Sequence, residues 1–341
     1  MNETITIQTA IQKYLEMIET ARSKNTYDTY RYAMQAFVNL LADNKMDAAQ
    51  TPVSALREDA VGWFAAWLKG HAPATEQLYL QAAMGFYKFL AAEKLASPTL
   101  PRLEQLIRMR ARKTGQRLPQ FPREDIERVL TYVSASPAPL PSPGEGRQGE
   151  AEAEQLRWLR DRAFLLTLAD TGLRVHEACK LRRGDIDWNE GRAILIGKGD
   201  KQDVVRFSSR SLRALKEYLS ARAALDGASG RPLPSLPLFA RHDKGAGKKV
   251  KPVTTATGRN IVEERVRQAL GEDAVGRITP HSFRHYFVTT VLRASGNLKL
   301  AQALARHASI AVTQRYAHLS DDELDRGYHE IFERASPTTA D

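Results

Sequence analysis

The sequence predicts a mainly α-helical protein with a small β-sheet, divided into two domains. Three observations support this fold class. The chain has 341 residues, of which 43% are hydrophobic, and this is enough for two domain cores. Apolar side chains recur at helical spacing along most of the chain. Strand-like segments, 192–197 and 202–207, flank the turn Gly197-Lys198-Gly199-Asp200, which predicts one β-hairpin.

Residues 1–110 are predicted to form a helical domain, because each segment between turn signals has one apolar face. In the first segment, Ile7, Ile11 and Ile18 share that face, and the polar turn 23–26 that follows has capping residues. The predicted helices span 5–22, 27–41, 54–68, 75–90 and 103–110.

The remaining chain is predicted to form a second domain, 122–341, that mixes helices with the hairpin. Residues 135–152 are rich in proline and glycine, so this segment is predicted to be a disordered insertion. Residues 241–251 form a basic loop that contains glycine. The predicted helices span 122–133, 153–169, 209–224, 255–270, a segment that begins at Pro280, and 321–334.

The formal net charge is +10 and the pI is about 9.6. Residues 1–110 hold twelve Lys or Arg and eleven Asp or Glu, so the remainder, which includes a basic linker at 111–121, has a net charge of +9. This favours a polyanionic partner such as double-stranded DNA, and a solvated basic surface without a partner is the alternative.

Cys179 is the single cysteine, which excludes an internal disulfide and is typical of a reducing compartment. The sequence has no run of 18 apolar residues and no signal-peptide pattern at its start. We therefore expect a cytoplasmic protein without a membrane partner.

The stretch from Pro280 to Tyr316 concentrates side chains that can handle a phosphate. His281 and Arg284 share one face of a helix that begins at Pro280. Arginine has a planar fork of donors that matches phosphate oxygens, histidine donates hydrogen bonds near neutral pH, and tyrosine can act as a nucleophile. Packing and capping are the alternatives for each residue. His281 and His285 have zinc-ligand spacing, but Arg284 between them and the lack of a nearby glutamate disfavour a metal.

A second motif, Thr171-Gly172-Leu173-Arg174, is followed by Glu177. Together with Lys198 in the Gly-Lys-Gly turn, the His281-x-x-Arg284-His285 box, and His307 nine residues before Tyr316, it resembles the tyrosine recombinases, the phage integrase family that includes Xer-type resolvases. The helical domain resembles the core-binding domain of that family, with Thr26 and Tyr30 in a Thr-x-x-x-Tyr pattern.

The resemblance implies a two-domain recombinase, with a helical core-binding domain and an α+β catalytic domain, that cleaves and rejoins DNA through a 3′-phosphotyrosyl intermediate. Tyr316 would be the nucleophile, Arg174, Arg284 and His307 would bind the phosphate, His281 would assist proton transfer, and Lys198 would be the general acid. Glu177 would support Arg174. The predicted DNA-binding residues are Lys24, Thr26, Arg110, Lys113, Lys201, Lys248 and Lys249.

The resemblance further implies neither cofactor nor metal, a homotetramer on paired DNA sites, docking of helix 321–334 on a neighbouring protomer, and association with the nucleoid. An accessory protein or a second recombinase is a further expected partner. The chain departs from the family at Arg306, where glycine is usual, and at His176, where serine is usual. A type IB topoisomerase and a DNA-binding protein without catalysis are the alternatives.

Overall fold

A computed structural model describes residues 5–112, 122–135, 148–196, 202–243, 249–307, 309 and 313. The chain divides into two compact units, Met1–Gln116 and Arg117–Asp341. This division falls inside the predicted linker, 111–121. The predicted helix 321–334 and most of the predicted insertion lie outside the described residues.

Five α-helices form the described part of the first unit, and each buries the apolar face that the sequence predicts. Its core contains the side chains of Tyr14, Phe37, Phe64, Phe86 and Tyr87. The helices are α1 (Ile7–Ala21), α2 (Lys24–Asp43), α3 (Asp59–Trp67), α4 (Pro73–Ala92) and α5 (Leu100–Arg110).

In this unit, the start of the third helix differs most from the prediction, and α2 also begins earlier than predicted, at Lys24 within the predicted turn 23–26, because Ser23 caps it. A 3₁₀ turn spans Val53–Ala55, and α3 begins only at Asp59. The Tyr87 hydroxyl donates to the Arg57 carbonyl at 2.7 Å, a long-range bond that holds this segment outside the helix. Local spacing of apolar residues carries no information about such a bond.

A buried carboxylate, Glu76, fixes the chain where it leaves α5. Glu76 is fully buried and accepts from Lys69 Nζ at 2.7 Å, from the Arg112 backbone N–H at 2.9 Å and from Arg112 Nε at 2.5 Å. Burial opposes ionisation, but these hydrogen bonds lower the pKa of Glu76 to about 2. Arg112 is thus held in the first unit, although the sequence assigns it to the linker.

The second unit packs helices around a core that includes an edge-to-face contact between Phe164 and Phe239. A three-stranded antiparallel sheet lies in this unit, in the order β1-β2-β3, with Ile194 opposite Val204. The strands are β1 (Ile186–Asp187), β2 (Arg192–Ile196) and β3 (Gln202–Arg206). The helices are α6 (Arg123–Ser134), α7 (Gln148–Thr171), α8 (Val175–Lys180), α9 (Ser209–Ala221), α10 (Ala223–Gly227), α11 (Thr255–Leu270), α12 (Pro280–Ser295) and α13 (Leu298–Ala305).

Two boundaries in this unit differ from the prediction by more than two residues. Helix α7 begins at Gln148, so residues 148–152 are helical and do not belong to a disordered insertion; this run contains glutamate and alanine, which favour helix. The predicted helix 209–224 breaks at Arg222, whose buried guanidinium donates to the carbonyls of Pro237 and Leu238. None of the described helices combines the length and the apolar character needed to cross a membrane.

The functional residues are positioned by the packing of α7, α8, α12 and α13, with α11 against α8. Helix α12 packs against α7 and α13, and α8 follows directly after α7. Helix α11 approaches α8 closely at Gly258, where a Cβ would lie 2.9 Å from Val175 and 3.0 Å from the Cys179 sulfur. The ends of α7 and α13 and the beginnings of α8 and α12 therefore meet in one region of the unit.

Candidate active site

The turn between α7 and α8 presents Arg174 at the start of a helix. The Thr171 hydroxyl donates to the Thr167 carbonyl at 2.6 Å and accepts from the Leu173 N–H at 3.2 Å. Gly172 has a φ of +61°, and a Cβ there would overlap the Phe287 ring, so glycine is needed both for the turn and for the close approach. Leu173 is fully buried, and the next residue, Arg174, is the N-cap of α8.

Arg174 and Glu177 hold one another at the N-terminus of α8. The Arg174 backbone N–H donates to Glu177 Oε2 at 2.8 Å, and Arg174 Nη1 donates to Glu177 Oε1 at 2.9 Å. Burial opposes ionisation, yet the backbone hydrogen bond from Arg174 and the charge of Arg306 lower the pKa of Glu177. The carboxylate is therefore ionised at neutral pH, and its Oε1 accepts a hydrogen bond from the Arg174 guanidinium.

Helix α12 begins as the sequence predicts, with Pro280 at its first turn and a capping box between Thr279 and Ser282. Arg284, on its second turn, is only 3% exposed. Its Nη1 donates to the Gly172 carbonyl and its Nη2 to the Ala305 carbonyl. Arg284 thus connects the end of α7 to the end of α13.

His307 follows α13 and is held on both its backbone and its ring. Its N–H donates to the Gln302 carbonyl at 3.1 Å, and its carbonyl accepts from Gln302 Nε2 at 3.1 Å. Its Nδ1 lies 2.9 Å from the hydroxyl of Thr313, which is fully buried. With Nδ1 engaged by this hydroxyl, Nε2 is the ring atom left to act on a ligand.

The three histidines of the site share a positive environment that disfavours their protonated forms. Burial and then the charges of Arg284 and Arg174 lower the pKa of His281, and they lower the pKa of His307 to about 4. Burial, followed by His281, His307 and Arg284, lowers the pKa of His285 to about 4. The protein without DNA therefore holds neutral imidazoles at neutral pH.

Arg174, His281 and Arg284 line one cavity of about 480 Å³, beside Arg259 on α11. A second cavity, of about 920 Å³, is lined by Arg174 and Glu177 together with Asp203 on β3. Arg174 therefore lies where two open spaces meet. A phosphate in the first cavity would be within a region that contains three guanidinium groups and an imidazole.

The structure brings together Arg174, Glu177, His281, Arg284 and His307, whereas Lys198 and Tyr316 lie outside the described residues. Among the predicted DNA-binding residues, Lys24 begins α2, the N–H of Thr26 is capped by Ser23, Arg110 ends α5 with its guanidinium against Gly62, and Lys249 is exposed. Lys113, Lys201 and Lys248 lie outside the described residues.

The His281 and His285 rings meet edge to face, with centroids 4.3 Å apart. In the described part of the chain, no group of three or more His, Cys, Asp or Glu side chains is arranged to hold a metal ion.

Sequence reasoning missed three residues of this region, namely Gln302, Arg306 and Thr313. Arg306 follows α13 as its C-cap, and its Nη2 donates to Glu177 Oε2 at 2.8 Å. Its position directly before His307 was a signal, because an arginine stands there in place of the usual glycine. Gln302 and Thr313 carry no local sequence signal, since only the fold brings them to His307.

Comparison with known families agrees with the fold. The family model described as "Phage integrase family" matches residues 150–323, which are just over half of the chain. The model described as "Phage integrase, N-terminal SAM-like domain" matches residues 11–94. The chain therefore belongs to the phage integrase family.

The relatives and solved structures that match this chain are recombinases or integrases. Tyrosine recombinase XerC of Pelobacter propionicus is 36% identical over 179 residues, which are 52% of this chain and 53% of that protein. Tyrosine recombinase XerC of Bacillus pumilus is 28% identical over 324 residues, which are 95% of each protein. The XerH site-specific recombinase, solved with its palindromic difH substrate, matches with a TM-score of 0.64 at 19% identity and covers 96% of this chain and 90% of that chain.

A lambda integrase dimer bound to a core site matches with a TM-score of 0.59 at 14% identity, over 92% of this chain and 96% of that chain. At these identities the structural matches show a shared fold. The predictions of a Xer-like tyrosine recombinase, of a mainly helical two-domain fold with a small sheet, and of a site-specific recombinase activity are confirmed. The topoisomerase alternative is not favoured, because the matched proteins are recombinases.

Proposed function

We propose that this chain cleaves and rejoins duplex DNA at specific sites through a covalent link between Tyr316 and a 3′ phosphate. One observation supports this most directly: Arg174, Arg284 and His281 line the same cavity, with His307 beside them. Two guanidinium groups can each bind a non-bridging oxygen and stabilise the additional charge of a pentacoordinate transition state. The positions of Tyr316 and Lys198 in this proposal rest on the sequence motif.

In the proposed cleavage step, the Tyr316 oxygen forms a bond to phosphorus while the bond from phosphorus to the 5′ oxygen breaks. His281 takes the tyrosine proton, a role that its lowered pKa suits because the imidazole is neutral and can accept. Lys198 gives a proton to the departing 5′ oxygen. A 5′ hydroxyl from a second strand reverses the step, so the phosphodiester energy is conserved without ATP.

His307 is proposed to donate from Nε2 to a non-bridging oxygen. The Thr313 hydroxyl at Nδ1 favours the tautomer that carries its proton on Nε2 when that hydroxyl is the donor. A neutral ring can do this, and a bound phosphate would raise the pKa of His307 because the anion stabilises imidazolium.

The proposal extends to the assembly on DNA. The net charge of +10 and the DNA-bound recombinases that share the fold support duplex DNA as the partner. We propose that Lys24, Thr26, Arg110, Lys113, Lys201, Lys248 and Lys249 contribute phosphate contacts. Four protomers on paired sites would perform the exchange in the cytoplasm at the nucleoid, with an accessory protein or a second recombinase as a further partner.

The experiment is a covalent trapping assay. Purified protein is incubated with a library of nicked duplexes made from the DNA of its own host, and protein–DNA adducts are separated under denaturing conditions and sequenced. Wild type is expected to give adducts at defined sites, whereas Tyr316→Phe binds the same DNA and gives none.

Tyr132→Phe is the matched control, because it also removes one phenolic oxygen but lies on α6, outside the residues that line the cavity. It should trap DNA at the wild-type rate. Adducts formed by Tyr316→Phe would assign the nucleophile elsewhere.

A further inference from the structure

Arg306 adopts a backbone conformation that arginine disfavours. It follows α13 with φ 56° and ψ 44°, in the left-handed region that favours glycine. Lys94, in the first unit, has the same φ of 56°. Arginine makes this turn less stable than glycine would. Any favourable effect of Arg306 must therefore come from the contacts of its side chain.

The Arg306 side chain is directed into the site rather than to solvent. It is 5% exposed, and its Nη2 donates to Glu177 Oε2 at 2.8 Å, across 129 residues of sequence. Its Nη1 is also buried and has no hydrogen-bond partner among the residues that the structure describes. Burial lowers the pKa of Arg306, and the charges of Glu177 and Asp203 oppose that effect. A buried guanidinium of this kind is stable only beside a carboxylate such as Glu177.

Glu177 connects Arg306 to Arg174, because its carboxylate accepts hydrogen bonds from both residues. Its Oε2 accepts from both Arg306 Nη2 and the Arg174 backbone, and its Oε1 accepts from Arg174 Nη1. With both oxygens engaged, the carboxylate cannot rotate without breaking a charge-assisted hydrogen bond. Loss of Arg306 would remove one of the two donors to Oε2 and weaken the support that the carboxylate gives to the Arg174 guanidinium.

Arg306 also changes the charge of this cluster. A pair formed only by Arg174 and Glu177 would be formally neutral, whereas two arginines that share one carboxylate have a net charge of +1. A phosphate binds more strongly beside the positive cluster. The same side chain can therefore order Arg174 and preserve the positive charge near it.

We propose that Arg306 is a positioning residue of the recombinase site, which acts through Glu177 to order the Arg174 guanidinium towards the DNA phosphate. This inference rests on the proposed function. It assigns to the residue before His307 a part in the reaction that is separate from the chemistry of His307 itself.

Two substitutions remove the guanidinium, and only one of them relieves the backbone conformation. Arg306→Gly relieves the left-handed conformation, and Arg306→Met keeps the Cβ and a stem of similar volume. Both should slow covalent adduct formation by about tenfold to 100-fold, the size of effect that loss of an outer hydrogen-bond partner has at metal sites. Lys94→Gly is the matched control: it relieves the same positive φ at an exposed position in the first unit, and it should cleave like wild type.

A double-mutant cycle distinguishes positioning from a general loss of structure. In the wild-type background, Arg174→Lys should slow cleavage by about 100-fold. In the Arg306→Met background, the same change should slow it only a few-fold further, because Arg174 is already poorly ordered. Wild-type rates in both Arg306 variants, or penalties that multiply fully with that of Arg174→Lys, would overturn the inference.

A second measurement does not depend on cleavage. The ¹⁵N relaxation of the Arg174 Nε–H group should show an ordered side chain in wild type and in Lys94→Gly, and a mobile one in both Arg306 variants. An Arg174 signal that stays ordered without Arg306 would contradict the inference even if cleavage slowed. If wild type itself forms no adduct, the proposed function fails, and this relaxation measurement alone decides the role of Arg306.

Discussion

Arg174 and Arg284 line the same cavity but are held by different chemistry. Arg284 is 3% exposed and donates to the carbonyls of Gly172 and Ala305, which are neutral acceptors. The Arg174 side chain is 46% exposed and is held by the Glu177 carboxylate, which Arg306 shares. The sequence assigns both arginines the same role, yet one is embedded in the fold and the other lies at its surface.

Because of this difference, we expect substitutions at the two arginines to affect the stability of the fold differently. Arg284 connects the end of α7 with the end of α13, so its removal leaves two buried carbonyls without their donor. Arg174 shapes little of the fold beyond its own helix cap. We therefore expect substitutions at Arg284 to reduce both stability and cleavage, and substitutions at Arg174 to reduce cleavage almost alone.

The largest effect is expected for Arg284→Lys. Lysine keeps the charge but lacks the planar fork that reaches two carbonyls at once. Cleavage should fall by about 100-fold or more, as for the loss of a transition-state donor. The free energy of unfolding should fall by about 1–3 kcal/mol, the usual cost of an unsatisfied buried polar group. Urea denaturation and adduct formation measure the two effects, and unchanged stability would break the contrast with Arg174.

Arg174→Lys should slow cleavage by about 100-fold and leave the fold nearly intact. An ion pair this exposed contributes about 0–1 kcal/mol after solvent screening, so the urea midpoint should hardly move. The same two assays as for Arg284→Lys give the comparison directly. A stability loss as large as that of Arg284→Lys would show that the Arg174 cap is part of the core.

The smallest effect is a shift in histidine titration. The charge of Arg174 lowers the pKa of His281 and His307, but it is not among the causes that lower the pKa of His285. Removing that positive charge makes the protonated ring less unfavourable, so Arg174→Gln should raise the pKa of the first two histidines. NMR titration of the DNA-free protein measures all three rings. His285 serves as the internal control, and a shift of equal size there would contradict the geometry.

Local spacing predicted most helices and the individual motifs of the site, and the resemblance to the tyrosine recombinases is what placed these motifs in one site. Arg174 and Glu177 are three residues apart on one short helix, and His281 and Arg284 follow a proline that starts another. The apolar faces of α1 and α11 likewise follow from periodicity within each segment. In each of these cases, the residues that define the motif or the apolar face lie within a few helical turns of one another.

The remaining features depend on contacts between distant segments. The bond from Arg284 to the Gly172 carbonyl spans 112 residues, and the bond from Arg306 to Glu177 spans 129. Strand β1 has only two residues and exists because β2 pairs with it. The left-handed conformation of Arg306 could not be predicted from residue propensities either, because they favour glycine at such a position.

The hydrogen bonds of Glu76 have a consequence for where the first domain ends. The helix α5 stops at Arg110, and by secondary structure alone the domain would be cut there. Such a cut would remove the two Arg112 bonds and leave the fully buried Glu76 carboxylate with Lys69 as its remaining described partner. Leaving a buried polar group without one of its hydrogen-bond partners typically destabilises a fold by about 1–3 kcal/mol. The first compact unit therefore extends past its last helix, and the charged pair of Glu76 and Arg112 belongs to it.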